Sequence, residues 1–177
     1  MTNPVQDVQR LGQSIWYDNI RRGLITSGEL GRLIELGVTG VTSNPTIFEK
    51  AIAGSADYDS AILDLAKDGK STLEIYEGLA LDDIRSAADL LLPVYLRAQG
   101  ADGYVSLEVN PRLAHDAPGT VAEAQRLFQM LDRPNVMVKV PATPQGVDAL
   151  RQLIARGINV NVTLIFSRDV YRQVARA

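Results

Sequence analysis

Apolar residues recur along this chain with two periods, and the alternation between those periods predicts the fold. Five short runs rich in β-branched residues read as strands: residues 14–18, 38–44, 103–110, 135–141 and 158–166. Between them the spacing predicts helices. Residues 27–36 carry Leu30, Leu33 and Ile34 on one side and stop at Gly37, while Thr120 and Glu123 have the spacing of a capping box for a helix running to Leu131. Thr143 opens another helix that ends at Gly157, and residues 55–98 should hold two or three more, with Asp57, Ser71 and Asp82 as candidate starts. Strands separated by helices imply a parallel sheet with right-handed crossovers.

The two faces of each strand decide between an open sheet and a closed one, because side chains alternate with period two. In the third strand Val105, Leu107 and Val109 oppose Ser106 and Glu108; in the fourth Val136, Val138 and Val140 oppose Met137 and Lys139. The fifth is the sharpest, with Ile158, Val160, Val162 and Leu164 on one face and Asn159, Asn161 and Thr163 on the other. An open doubly wound sheet would bury that polar file under helices at a large desolvation cost. A barrel instead turns it inward, where the carboxyl ends of the strands open on an active site.

Composition narrows the function classes. At 46% hydrophobic and 22% charged, the 177 residues suit one globular domain, 1–177. The net charge of −3, with basic residues scattered among acidic ones, gives no footprint for nucleic acid or an anionic membrane and points to a small-molecule partner. The longest apolar runs, such as residues 87–92 broken by Asp89, fall far short of the roughly 20 residues that span a bilayer. Residues 1–13 lack a secretory h-region, and the absence of cysteine excludes disulfides and thiolate chemistry, so a cytoplasmic location is expected.

The polar residues expected at inward positions near strand ends are Asp18, Asn44, Glu108, Lys139, Asn161 and Thr163, so each strand supplies at least one. Singly, each has an ordinary explanation: Asp18 as a cap, Asn44 with Pro45 as a turn, Thr163 as a partner for backbone. Lys139 differs. Between Val138 and Val140 it has little freedom to reach water, and lysine is rarely buried without a partner. Its alternatives are a buried ion pair with Glu108 or Asp18, or a nucleophile. A desolvated amine favours its neutral form, and a neutral amine condenses with carbonyls to an iminium ion, the electron sink for retro-aldol cleavage. Proton transfer would fall to carboxylates, Asp18 and Glu108, the latter directly or through a water shared with Thr163, because the one histidine, His115, lies in a loop. The chain carries no GxGxxG, P-loop, HExxH or GxSxG motif. A magnesium site of Asp18, Glu108 and Asn161 ranks below, since the lysine would repel the ion.

At these residues the chain resembles the transaldolase family. The segments WYD at 16–18, GVTSNPTIFEKAI at 40–52, VSLEVNPRLAHD at 105–116, VMVKVPAT at 136–143 and INVNVTLIFS at 158–167 are similar to the family in order along the whole chain. The resemblance implies an α/β fold, the (β/α)8 TIM barrel of the transaldolase type, acting on sugar phosphates without a cofactor or metal. It implies Lys139 as the Schiff-base lysine, Asp18 as the catalytic aspartate and Glu108 with Thr163 as the pair holding the catalytic water. Asn44 and Asn161 then bind substrate, with Thr42 and Ser43 close by. Glu108 favours transaldolases over the related fructose-6-phosphate aldolases, which have glutamine there. The first 60 residues are similar to transaldolases fused to a glucose-6-phosphate isomerase. A complete barrel takes about 250 residues, at least roughly 200, so only about the first five β/α units are expected here. The phosphate-binding residues would then follow Ala177. The missing half, or a second chain, would be needed for completion, and the segment alone should have little activity or act as a non-catalytic half-barrel.

Overall fold

The computed structural model describes residues 3–177, which divide into two compact units, the first running to Val105 and the second from Ser106 to Ala177. The first contains α1 (Pro4–Gln9), β1 (Trp16–Tyr17), α2 (Arg22–Thr26), α3 (Glu29–Leu36), β2 (Gly40–Thr42), α4 (Pro45–Ala53), α5 (Asp59–Lys67) and α6 (Thr72–Arg97). β3 (Tyr104–Glu108) carries the chain into the second, which continues with α7 (Ala117–Leu131), β4 (Val136–Pro141), α8 (Pro144–Ile154), β5 (Val160–Thr163) and α9 (Arg168–Arg176). The hydrogen-bonded strand order is β1-β2-β3-β4-β5, with β1–β2 and β4–β5 parallel. All five predicted strands form, each shorter than its apolar run. Among the described residues, no helix is long and apolar enough to cross a membrane.

In the first unit the core gathers on α6, whose Leu79, Ile84, Ala87, Ala88 and Leu91 are buried, together with Leu24, Leu30, Phe48 and Tyr58. A buried polar cluster ties this core to the chain leaving β1. Asp83 is 2% exposed, yet its carboxylate accepts from Arg22 Nε at 2.9 Å and from the Tyr58 hydroxyl at 2.8 Å. The Tyr58 oxygen accepts in turn from the Arg22 backbone N–H at 2.8 Å, and the guanidinium lies 4.8 Å from the centre of the Tyr58 ring. Burial is the main cause that raises the Asp83 carboxyl above the usual carboxylate range, and it likewise pushes the Tyr58 hydroxyl above the usual tyrosine range. Register in β1–β2 pairs Trp16 with Gly40, where an added Cβ would lie 2.3 Å from the indole.

In the second unit the amphipathic helices α7 and α8 pack on each other and on β4, burying Val121, Ala124, Leu127, Val147, Leu150 and Leu153. β4 is the central strand here: Val136, Val138 and Val140 are fully buried.

Local chemistry accounts for the departures from the sequence reading. The helix expected from Thr120 begins at Ala117, because Asp116 caps it by accepting from the Gly119 N–H at 3.0 Å and Pro118 suits a first turn. Thr120 is buried and donates to the Leu113 carbonyl instead. The helix placed over residues 27–36 starts two residues later, after Gly28 in the left-handed conformation, φ 77°. Of the three candidate starts in residues 55–98 only Ser71 opens an α-helix, with a full capping box to Glu74; Asp57 sits in a 3-10 turn and Asp82 lies inside α6. The α8 helix stops at Ile154 rather than reaching Gly157. Finally β5 ends at Thr163: Leu164 adopts φ 64° and is 57% exposed, so it leaves the apolar face to which alternation assigned it.

Candidate functional site

The residues singled out in the sequence lie on the strands or just beyond them, four in each unit. In the first unit Asp18 follows β1 directly and is exposed. Thr42 is the last residue of β2, half-buried, and Ser43 next to it is fully buried. Asn44 does what the ordinary reading allowed, as its Oδ1 accepts from the Ile47 N–H at 2.9 Å and caps α4, a helix the hydrophobic pattern did not reveal. That bond fixes the amide, with the Nδ2 donor as its other end.

In the second unit the polar side chains are brought together. Lys139, in the middle of β4, is 9% exposed, and its ammonium lies 3.5 Å from Glu108 Oε2. The Val109 N–H donates to the Lys139 carbonyl at 3.1 Å, which sets Glu108 level with Lys139 across the β3–β4 pair. Register then places Asn161 opposite Lys139 and Thr163 opposite Pro141. Glu108, Lys139 and Asn161 therefore form one row across three strands, on the polar face that alternation assigned to them. The ion pair weighed as an alternative for Lys139 is present with Glu108. A nearby carboxylate is equally what an amine needs to pass a proton to and from a condensing carbonyl, so the pair fits both roles.

A neighbour of this row was missed. Ser106, fully buried on the same face of β3 as Glu108, accepts from Asn161 Nδ2 at 3.1 Å. Alternation had put it on that face, but its distance from the strand end kept it off the candidate set. His115 is exposed in the segment between β3 and α7, in keeping with a loop residue.

Comparison with known proteins joins these observations. The family model for transaldolase/fructose-6-phosphate aldolase matches residues 15–177. The chain belongs to that family. It is 49% identical to a transaldolase of Trichodesmium erythraeum over 178 aligned residues, covering 100% of this chain and 47% of the relative. It is 55% identical to a transaldolase of Thiobacillus denitrificans over 166 residues, covering 93% of this chain and 46% of the relative. A Neisseria gonorrhoeae transaldolase is 50% identical over 164 residues. The chain thus spans about half the length of the curated relatives it matches, in agreement with five strands where a closed family barrel has eight.

Proposed function

We propose that this chain is the first part of a transaldolase, moving a dihydroxyacetone unit from a ketose phosphate, fructose 6-phosphate or sedoheptulose 7-phosphate, to an aldose phosphate. The observation that carries the reading is the buried lysine, 9% exposed on a strand, with a carboxylate 3.5 Å from its amine. The Lys139 amine attacks the ketose carbonyl carbon and water leaves, forming an iminium ion. Asp18 takes the proton of the hydroxyl beside the scissile carbon–carbon bond; that bond's electrons move into the iminium and leave an enamine as the aldehyde departs. The enamine adds to the aldehyde of the acceptor, and hydrolysis frees the amine. Glu108, with Thr163 holding a water, relays protons during formation and hydrolysis of the imine. Asn44 and Asn161, flanked by Thr42 and Ser43, orient the donor's hydroxyls.

The same reading makes the chain a single domain, the first five β/α units of a (β/α)8 barrel. The remaining units, or a second chain, supply phosphate recognition, and the protein serves the non-oxidative pentose phosphate pathway in the cytoplasm. Borohydride reduction in the presence of fructose 6-phosphate, followed by peptide mapping, is expected to label Lys139 and to give no label in Lys139→Ala. Label on another lysine, or equal label in the variant, refutes the assignment. The family description also covers donor-only aldolases; Glu108 supports the transferase, and cleavage unaffected by erythrose 4-phosphate would favour the aldolase.

A further inference from the structure

Asp18 is exposed, and among the described residues its side chain makes no hydrogen bond or ion pair. Its place is therefore set by the backbone on either side. Upstream, β1 is registered on β2 through Trp16–Gly40 and Tyr17–Val41 and ends one residue before it. Downstream, residues 18–21 lead to Arg22, the first residue of α2. The first N–H groups of a helix need acceptors from outside it, and Arg21 at the N-cap offers no side-chain bond. Tyr58 supplies the missing acceptor, since its hydroxyl oxygen takes the Arg22 N–H at 2.8 Å. A backbone N–H can only donate, so the one phenolic proton is left for Asp83, at 2.8 Å. The other carboxylate oxygen of Asp83 accepts from Arg22 Nε at 2.9 Å. The ring of bonds closes on a single residue and holds Arg22 by backbone and side chain together. Ile20, 0% exposed, adds an apolar anchor within the connection. A short span between two fixed ends has few conformations, so the hold on Arg22 is also a hold on Asp18.

We propose that Tyr58 and Asp83 are positioning residues for Asp18, acting through Arg22 at the far end of the β1–α2 connection. This rests on the reading of Lys139 as the imine-forming amine and of Asp18 as the base for the hydroxyl beside the scissile bond. Loosening the cluster then slows one step in particular. Imine formation, assigned to Lys139 and Glu108, does not need Asp18, whereas cleavage of the carbon–carbon bond does. A cluster that merely stabilised the fold would lower both steps in proportion to the folded fraction, so the two roles separate in the kinetics.

The test is single-turnover trapping on the full 177-residue chain with fructose 6-phosphate. Borohydride fixes the imine at successive times, and peptide mass distinguishes the whole ketose on Lys139 from the dihydroxyacetone unit left after the aldehyde departs. Tyr58→Phe is expected to slow conversion of the first adduct into the second on the order of ten-fold or more, while the first forms within roughly two-fold of the parent rate. Asp18→Asn should block the same conversion, and adding Tyr58→Phe to it should change nothing further. Leu91→Val, a loss from the same buried core away from the cluster, should leave the ratio of the two adducts unaltered. Equal slowing of both steps in Tyr58→Phe, or an unchanged conversion, would overturn the proposal. A second readout does not need the adduct: in 15N-labelled protein the Arg22 amide should be protected from solvent exchange, and Tyr58→Phe should remove that protection and lower the order parameters of residues 19–21 but not those of residues 40–42. Unchanged order at 19–21 would overturn the positioning by itself. Absence of any Lys139 adduct in the parent, with the connection loosened in Tyr58→Phe, would instead overturn the Schiff-base reading and leave the hold on residues 18–21 standing.

Discussion

A cation–carboxylate pair is buried in each unit, Arg22–Asp83 in the first and Lys139–Glu108 in the second, and the two pairs are built differently. In the first, Arg22 and Asp83 approach to 2.9 Å, the second carboxylate oxygen is held by the Tyr58 hydroxyl, and Arg22 binds that hydroxyl again through its backbone. In the second, Lys139 and Glu108 stand 3.5 Å apart, and both keep a little solvent access, 11% and 14% at the side chain. A guanidinium never gives up its proton and pairs through a rigid planar fork, so the first pair suits a fixed joint between helices. An ammonium is a compact charge on a flexible stem, and a longer contact leaves room for a reactant to enter. The shorter contact, tied again through Tyr58, suits scaffold, and the longer one suits the chemistry proposed for Lys139.

The comparison breaks most visibly through the double variant Lys139→Met/Glu108→Leu, which should abolish the trapped adduct altogether while changing the free energy of urea unfolding by no more than about 1 kcal/mol, since exchanging a buried ion pair for apolar chains of similar volume is often neutral. A large loss of stability would instead make that pair scaffold as well. Asp83→Ala attacks the other pair. It should cost about 3 kcal/mol in urea unfolding, at the low end for a broken buried pair because the Arg22 side chain keeps 21% of its exposure. Tyr58→Phe removes one bond from each side of the cluster and should cost about 1–2 kcal/mol by the same measurement, without changing the position of the adduct. The smallest effect is a slope in pH. The folded Asp83 carboxyl is raised, so the folded state holds its proton over a window where the unfolded chain has lost it. Its contribution to stability is therefore greatest below the ordinary aspartate range, about pH 4, and declines as pH rises through the folded value. Asp83→Asn should flatten that decline in unfolding curves taken from pH 4 upward; an unchanged slope would assign it to other groups.

Much of this was legible in the residues because parallel strands carry a period that survives without tertiary information. All five strands, the inward file of Glu108, Lys139, Asn161 and Thr163, and the Thr143 and Ser71 caps were read from spacing and residue type. Long-range partners were not. The ties between Arg22, Tyr58 and Asp83 span up to 61 residues, and nothing local distinguishes Asp83 from the exposed Asp82 beside it. Ser106 was placed on the right face by alternation, but its bond to Asn161, 55 residues on, was not legible. The misplaced start of α7 has a local cause: Thr120 and Glu123 have capping-box spacing, but Asp116 followed by Pro118 offers an earlier cap, and the hydroxyl of Thr120 was taken by a distant carbonyl.

The meeting of Trp16 with Gly40 acts as a steric key for strand alignment. Because the indole occupies the place of a Cβ, a slip of one position would set the protein's single tryptophan level with Thr39 or Val41, each of which carries the Cβ that Gly40 lacks. The levels of residues 18 and 42 at their strand ends are thereby specified before any ligand arrives, and the emission of that lone fluorophore can follow the alignment without a label.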